Sequence, residues 1–270
     1  MKETQRKYNG IMKTRYPIVL VHGAFVRNWL FFKCFGKIDK ILREEGYDVY
    51  VAKIDACGSI ENNALQLKTY INKIIEKSGV KKVNLICHSK GGLDAKYMID
   101  NLKGEEVAAS ITALCSPFKG TPVANVMMNQ PKFMLAIENF FINLWYRIIG
   151  DKKPQARILG EQLKRVNSLD EPVKIIKEGV YYQSFSSSTN NVKDNFIDAI
   201  PLLISRHEEN VPTDGLVPQD STIFGNYRGK ISDENLSHNQ VIDNTTSYKK
   251  KKIVFEFYKK VAKELAERGF

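Results

Sequence analysis

The chain has 270 residues, which fits one large α/β domain or one domain with an inserted cap. Hydrophobic content is 43%, enough for a sizeable core, and the formal net charge is +11 with pI ≈ 9.3. That charge suits nucleic acid, an anionic membrane surface or simple solubility equally well. No apolar run approaches the length of a bilayer span. The opening stretch MKETQRKYNGIMKTRYP lacks the apolar core of a secretory signal, so the default location is cytoplasmic, with export by a route that leaves the N-terminus intact still open. Cys34, Cys57, Cys87 and Cys115 form no Cys-x-x-Cys pair and read as free, with no zinc pattern.

Residues 1–15 are polar and are expected to be a flexible segment ahead of a single domain over 16–270. Tyr16-Pro17 leads into Ile18, Val19, Leu20 and Val21, an all-apolar run of the kind buried on both faces in a parallel sheet. It stops at His22-Gly23-Ala24-Phe25. A glycine there lets the chain turn and aims the next backbone N–H, although a plain strand-to-loop turn fits the same residues. Phe35, Ile38 and Leu42 mark one face of a helix closed by Gly46. Tyr47 to Ile54 reads as a strand and Asp55 to Ser59 as a loop. Leu67, Ile71 and Ile74 mark a second amphipathic helix ending near Gly79.

Val83 to Cys87 is a third strand, running into His88-Ser89-Lys90-Gly91-Gly92 and then a helix through Leu93, Tyr97 and Leu102. A strand, a sharp turn with serine at its apex and a helix form the arrangement called a nucleophile elbow. The turn strains the serine backbone, so its neighbours two positions away must be small. The helix that follows points its positive end at the hydroxyl. A polar turn capped by Ser89 accounts for the same residues more modestly. Val107 to Leu114 is a fourth strand. Strands alternating with helices mean βαβ units and a mostly parallel sheet with helices on both faces.

The rhythm breaks over about 123–178, where Met127, Met128, Phe133, Met134 and Ile137 precede ENFFINLWYRIIG. Phe141, Leu144, Trp145 and Ile148 line one stripe of that piece. It is too apolar for a free surface helix and too short for a membrane span. It reads either as an inserted lid over the site or as a core helix. Val180 to Phe185 is a further strand, Asp194 to Ile204 is weakly patterned, and Asp214 sits in the loop from Pro212 to Pro218. Ser221 to Phe224 reads as the last strand, with His238 on the loop beyond it. Val254, Phe257, Val261 and Leu265 define a C-terminal helix whose first turns carry Lys249 to Lys252, either a solvated face or a patch for a polyanion.

Of the four histidines, His22 and His88 abut the first loop and Ser89 and read as structural, while His207 lies among charges. His238 alone follows the last strand, so Ser89, Asp214 and His238 stand in the Ser-Asp-His order of α/β-hydrolases. YPIVLVHG, FGKIDKILREEGYDVYVA, KKVNLICHSKGGLDAKY, SPFKGTPVA, VYYQSF and TDGLVP together resemble the bacterial true lipases (triacylglycerol lipases) of that superfamily, over roughly residues 16 to 250. The resemblance implies an α/β-hydrolase fold, a mostly parallel central sheet flanked by helices, with an inserted helical lid. It implies hydrolysis of triacylglycerol or carboxyl esters, with Ser89 as nucleophile, Asp214 as acid and His238 as base. Ala24 and Lys90 match the oxyanion donors through their backbone N–H groups.

Three residues depart from the family pattern. Cys87 replaces the first elbow glycine, and Lys90 stands where glutamine is common. Gln240 takes the place of an aspartate that often binds a structural calcium, so no metal is expected even if Asp194 or Asp198 matches the other calcium aspartate. No cofactor is expected. The expected partner is an ester or lipid substrate, met in solution or at a lipid–water interface, and the chain is expected to be a monomer that binds no nucleic acid. A thioesterase or acyltransferase would use the same residues, and a non-catalytic membrane-binding protein of this fold is the remaining alternative.

Overall fold

The computed structural model describes residues 7–8, 11–30, 32–165, 177–190, 196–208, 211–245 and 247–270. Its centre is a six-stranded parallel sheet. The strands are β3 (Ile18–Val21), β4 (Val49–Val51), β5 (Val83–His88), β6 (Ala108–Leu114), β7 (Tyr181–Ser186) and β8 (Asn226–Lys230), in spatial order β4-β3-β5-β6-β7-β8. The order reverses beside β3, and β5 lies at the middle with partners on both sides. The all-apolar run of β3 has a direct cause. Ile18 and Leu20 enter the core on one face, with α1 (Ile38–Glu44) and α8 (Tyr248–Glu267). Val19 and Val21 enter the core on the other, with α2 (Ile60–Ser78) and α3 (Lys90–Asn101). Each such side chain contributes ~1.5–3 kcal/mol of burial.

The helices expected over Phe35–Leu42 and Leu67–Ile74 and at the C-terminus are present, and their named apolar residues are buried. The face of α3 is rotated from the expected one. Ala95, Met98 and Ile99 are buried, whereas Leu93 and Tyr97 are half-buried.

Three elements differ from the sequence reading. Within the polar opening segment, β1 (Lys7–Tyr8) and β2 (Ile11–Met12) pair antiparallel. Asn9-Gly10, between them in sequence, is a dipeptide favoured in tight hairpins. Residues 196 to 208 form a helix, α7 (Phe196–Glu208), despite the internal Pro201 that hid it; it packs on α4 (Pro122–Met128). The last strand is Asn226–Lys230, because the hydroxyls at the expected strand bond main-chain carbonyls instead. Ser221 Oγ donates to the Gly120 carbonyl at 2.7 Å and Thr222 Oγ1 to the Gln219 carbonyl at 2.7 Å, drawing 219–222 into a 3₁₀ turn.

Between β6 and β7 the chain forms α4, α5 (Lys132–Ile148) and α6 (Ala156–Gln162). The rest of the expected insertion, 166–176, lies outside the described residues. No residue of α5 is buried. Half-buried Leu135, Ile142 and Tyr146 form its inner stripe, while Phe141, Leu144, Trp145 and Ile148, the stripe singled out in the sequence, faces outward. Among the described residues, no helix is long and apolar enough to cross a membrane.

Candidate active site

Ser89 sits where β5 ends and α3 begins, with φ 55 and ψ −133. Such a conformation is rare for a residue with a side chain and persists only where its surroundings enforce it. Here the Ser89 N–H donates to the Leu114 carbonyl of β6 at 2.9 Å, and its carbonyl accepts the Gly92 N–H at 3.0 Å. The neighbours must be small. A Cβ on Gly91 would stand 2.6 Å from the carbonyl oxygens of Val21 and His22, and one on Gly23 would stand 2.6 Å from the Ser89 Cβ. At the other flank, Cys87 is fully buried without displacing the turn.

Asp214 is 0% exposed. Its Oδ1 accepts the backbone N–H groups of Leu216 (3.0 Å) and Val217 (2.8 Å), which fixes the carboxylate. Its Oδ2 lies 2.7 Å from His238 Nδ1, and the His238 N–H donates to the Asp214 carbonyl at 2.9 Å. A carboxylate only accepts, so Nδ1 carries the hydrogen and Nε2 presents a lone pair. His238 and Ser89 line one cavity of about 500 Å³. Ser89, more than a hundred positions from the other two in sequence, thus opens on the same cavity as the His238–Asp214 pair at the C-terminal edge of the sheet. His207 is exposed, on the last turn of α7.

Ala24 lines the same cavity. Lys90 is the first residue of α3, so its N–H has no partner within the helix. The Lys90 side chain holds something the sequence reading passed over. Its ammonium is buried and donates to Asp94 Oδ1 at 2.6 Å, while Asn63 Nδ2 donates to Asp94 Oδ2 at 3.2 Å. Burial pushes the Asp94 carboxyl up to about 6 against the pull of Lys90.

His88, expected to be structural, is buried beside His238. Its Nε2 lies 3.1 Å from the His238 carbonyl, and the two rings lie 4.5 Å apart. Burial, then charge on His238, holds its pKa well below the ordinary value, so it stays neutral and donates that hydrogen bond. Burial likewise lowers His22 to about 4. The only signal for either was adjacency to the motif.

The cavity roof comes from α4, α5 and α6, through Val123, Met127, Leu135, Ile142 and Leu159 among others. Two carboxylates fasten it at one end. Asp151 accepts the N–H groups of Ala56 (3.0 Å) and Cys57 (2.7 Å) and pairs with Arg27. Asp55 accepts those of Lys152 and Lys153, each at 2.8 Å. Their place just after β4 and just after the apolar helix was visible in the sequence, but their pairing was not.

The residues present do not fit a calcium ion on the family plan. Gln240 Oε1 accepts the Ser237 N–H and the Lys250 ammonium, each at 3.0 Å, so a cation already points at it. Asp194 and the Asp198 side chain lie outside the described residues. Among the described residues no group of three or more His, Cys, Asp or Glu side chains could hold a metal.

A serine on a strand-to-helix turn, with a buried His–Asp pair opening on the same apolar cavity, defines an α/β-hydrolase. No protein-family model matches the chain. Triacylglycerol lipase 2 of Saccharomyces cerevisiae is 28% identical over 254 residues, covering 86% of this chain and 73% of that protein. A triacylglycerol lipase of Vibrio cholerae is 38% identical over 119 residues, which are 44% of this chain and only 38% of that protein. In structure, a metagenomic carboxyl esterase aligns with TM-score 0.73 at 18% identity, over 98% of this chain and 80% of the other. Staphylococcus hyicus lipase aligns with TM-score 0.67 at 15% identity, over 97% and 98%. The chain thus has the α/β-hydrolase fold and is similar in sequence to triacylglycerol lipases.

Proposed function

We propose that the protein is a serine carboxyl-ester hydrolase acting on lipids, with Ser89, His238 and Asp214 as its catalytic triad. The observation that carries this is the 2.7 Å contact of His238 Nδ1 with a buried carboxylate, which leaves Nε2 as a base in the cavity that holds Ser89. His238 takes the Ser89 proton, and Ser89 Oγ attacks the ester carbonyl. The negative oxygen that forms is held by the backbone N–H groups of Ala24 and Lys90, each such donor being typically worth ~3 kcal/mol. Protonated His238 then gives its proton to the departing alcohol, leaving an acyl group on Ser89. Water activated by the same imidazole releases the acid. Asp214 holds the tautomer and stabilises the imidazolium throughout.

The apolar lining favours an acyl chain over a polar substituent, and α4–α6 are placed to act as a lid over it at a lipid–water interface. An active-site-directed organophosphonate followed by intact mass measurement tests the reading. One adduct on the native chain and none on Ser89→Ala is expected; labelling that survives Ser89→Ala removes the nucleophile assignment. A p-nitrophenyl ester series read beside an insoluble triglyceride then gives the chain-length preference.

A further inference from the structure

We propose that the outer face of α5, together with the loop after β3, is a docking surface for an anionic lipid bilayer, occupied while α5 still roofs the cavity. The outer face of α5 is unusually apolar for a helix at a protein surface. Its inner stripe includes Asn139 and Asn143, whereas Phe133, Ile137, Phe140, Phe141, Trp145 and Ile148 all face water, the last at 68% exposure. Large apolar side chains on an outer helix face belong against a core or in lipid, and the described residues put no core outside α5.

The surface continues onto the β3 loop. Trp29 meets Trp145 edge-on at 5.9 Å, Phe25 meets Tyr146 at 5.8 Å, and Leu30 next to Trp29 is 76% exposed. Tryptophans beside exposed aliphatic side chains are the composition that settles at the headgroup level of a bilayer.

Charge selects the occupant. Over residues 131–158 the exposed charged residues are Lys132, Arg147, Lys152, Lys153 and Arg157 against Glu138 alone, and Glu138 lines the cavity. An anionic leaflet attracts such a fringe. A second copy of the chain would bring the same cations against themselves, which disfavours a dimer through this face. The docked face is the outer one, so binding requires no movement of α5. The inference deepens the reading above in one respect: it names the surface from which substrate reaches the cavity. Docking itself is measured without turnover.

The protein's only two tryptophans, Trp29 and Trp145, both lie in the patch, so tryptophan emission excited to the red of tyrosine absorption reports on it alone. The experiment uses Ser89→Ala protein and vesicles of phosphatidylcholine with or without phosphatidylglycerol. Expected are a blue shift and co-sedimentation with the phosphatidylglycerol vesicles, both weakened by high salt. Phe141→Asp with Ile148→Asp is expected to weaken vesicle binding by about tenfold or more at an unchanged melting temperature. Should that pair disturb folding, Lys152→Glu with Lys153→Glu, on exposed residues, is expected to weaken binding selectively for anionic vesicles. Unshifted emission with vesicles, variants that bind like the parent, or a self-association that the same variants abolish would each overturn the proposal. Organophosphonate labelling of the native chain is unaffected by that failure, so the two readings fail separately.

Discussion

At the floor of the cavity Ser89, His238 and Asp214 are at most 7% exposed, and each is held by bonds to main-chain groups of neighbouring elements. In the roof, no residue of α5 is buried, and the polar ties gather at its C-terminal end, on Asp55 and Asp151. Hydrogen bonds are directional and set one geometry, while apolar contact is not directional and tolerates sliding. The difference sets a hydrogen-bonded floor against a roof helix that meets it mainly by apolar contact.

Removing the floor's reacting groups has the largest expected effect. Ser89→Ala and His238→Ala should each lower kcat by about 10⁶-fold, on the scale seen for such triads, with an unchanged circular dichroism spectrum. Asp214→Asn should lower it by about 10⁴-fold, because Nδ1 is no longer held as the donor. Near-normal turnover in His238→Ala would show that the base lies elsewhere.

Next comes the buried pair beside Ser89. Asp94→Leu alone leaves the Lys90 ammonium buried and unpaired, and should cost about 3–5 kcal/mol in urea unfolding. Lys90→Met combined with Asp94→Leu should recover most of that. A double variant as unstable as the single would show that the loss comes from packing rather than charge.

At the roof, Asp151→Asn removes the charge that holds the amides of Ala56 and Cys57 and the Arg27 guanidinium. A cost of about 1–3 kcal/mol is expected, with hydrolysis of long-chain esters falling more than that of acetate esters. Equal losses on both would place the effect at the floor.

The smallest expected effect is that of pH on stability. Buried His22, at about 4, and His88, lower than usual, remain neutral when the unfolded chain takes up protons below 6.5. Their stability is complete above 6.5 and is lost as pH falls toward 4. Asp94 acts in the opposite sense, its contribution being present below the ordinary 3.8 and lost as pH rises through about 6. Two histidines against one carboxyl should lower the melting temperature by about a few degrees between pH 7 and pH 5. A higher value at pH 5 would show that Asp94 dominates.

The sheet was legible because its strands are apolar on both faces and its turn residues have few alternatives. Val83 to Gly92 alone placed the serine between strand and helix. Asp214 and His238 were legible through their order along the chain, but nothing local showed that the His238 ring would find the Asp214 carboxylate. The stripe of α5 was correctly seen as apolar, but periodicity marks a face without saying what it meets, and this one faces outward. Pro201 hid α7, and hydroxyl bonds from Ser221 to Gly120 and from Thr222 to Gln219 replaced the strand expected at Ser221. The hooks at Asp55 and Asp151 join loops about a hundred residues apart, and long-range pairs of that kind leave no periodic trace.

All four thiols are buried, but in different places. Cys34 and Cys115 lie in the core shared with α1 and α8, and Cys87 lies in the core against α2 and α3. Cys57 packs instead with Ala156 and Leu159 of α6, directly under the cover. If α4–α6 act as the proposed lid, a thiol reagent is expected to reach it only when they lift, and burial, which raises its pKa to about 12, slows the reaction further. The alkylation rate of this one cysteine, followed by peptide mass against three silent internal standards, is thus a clock for opening that requires neither substrate nor an added label.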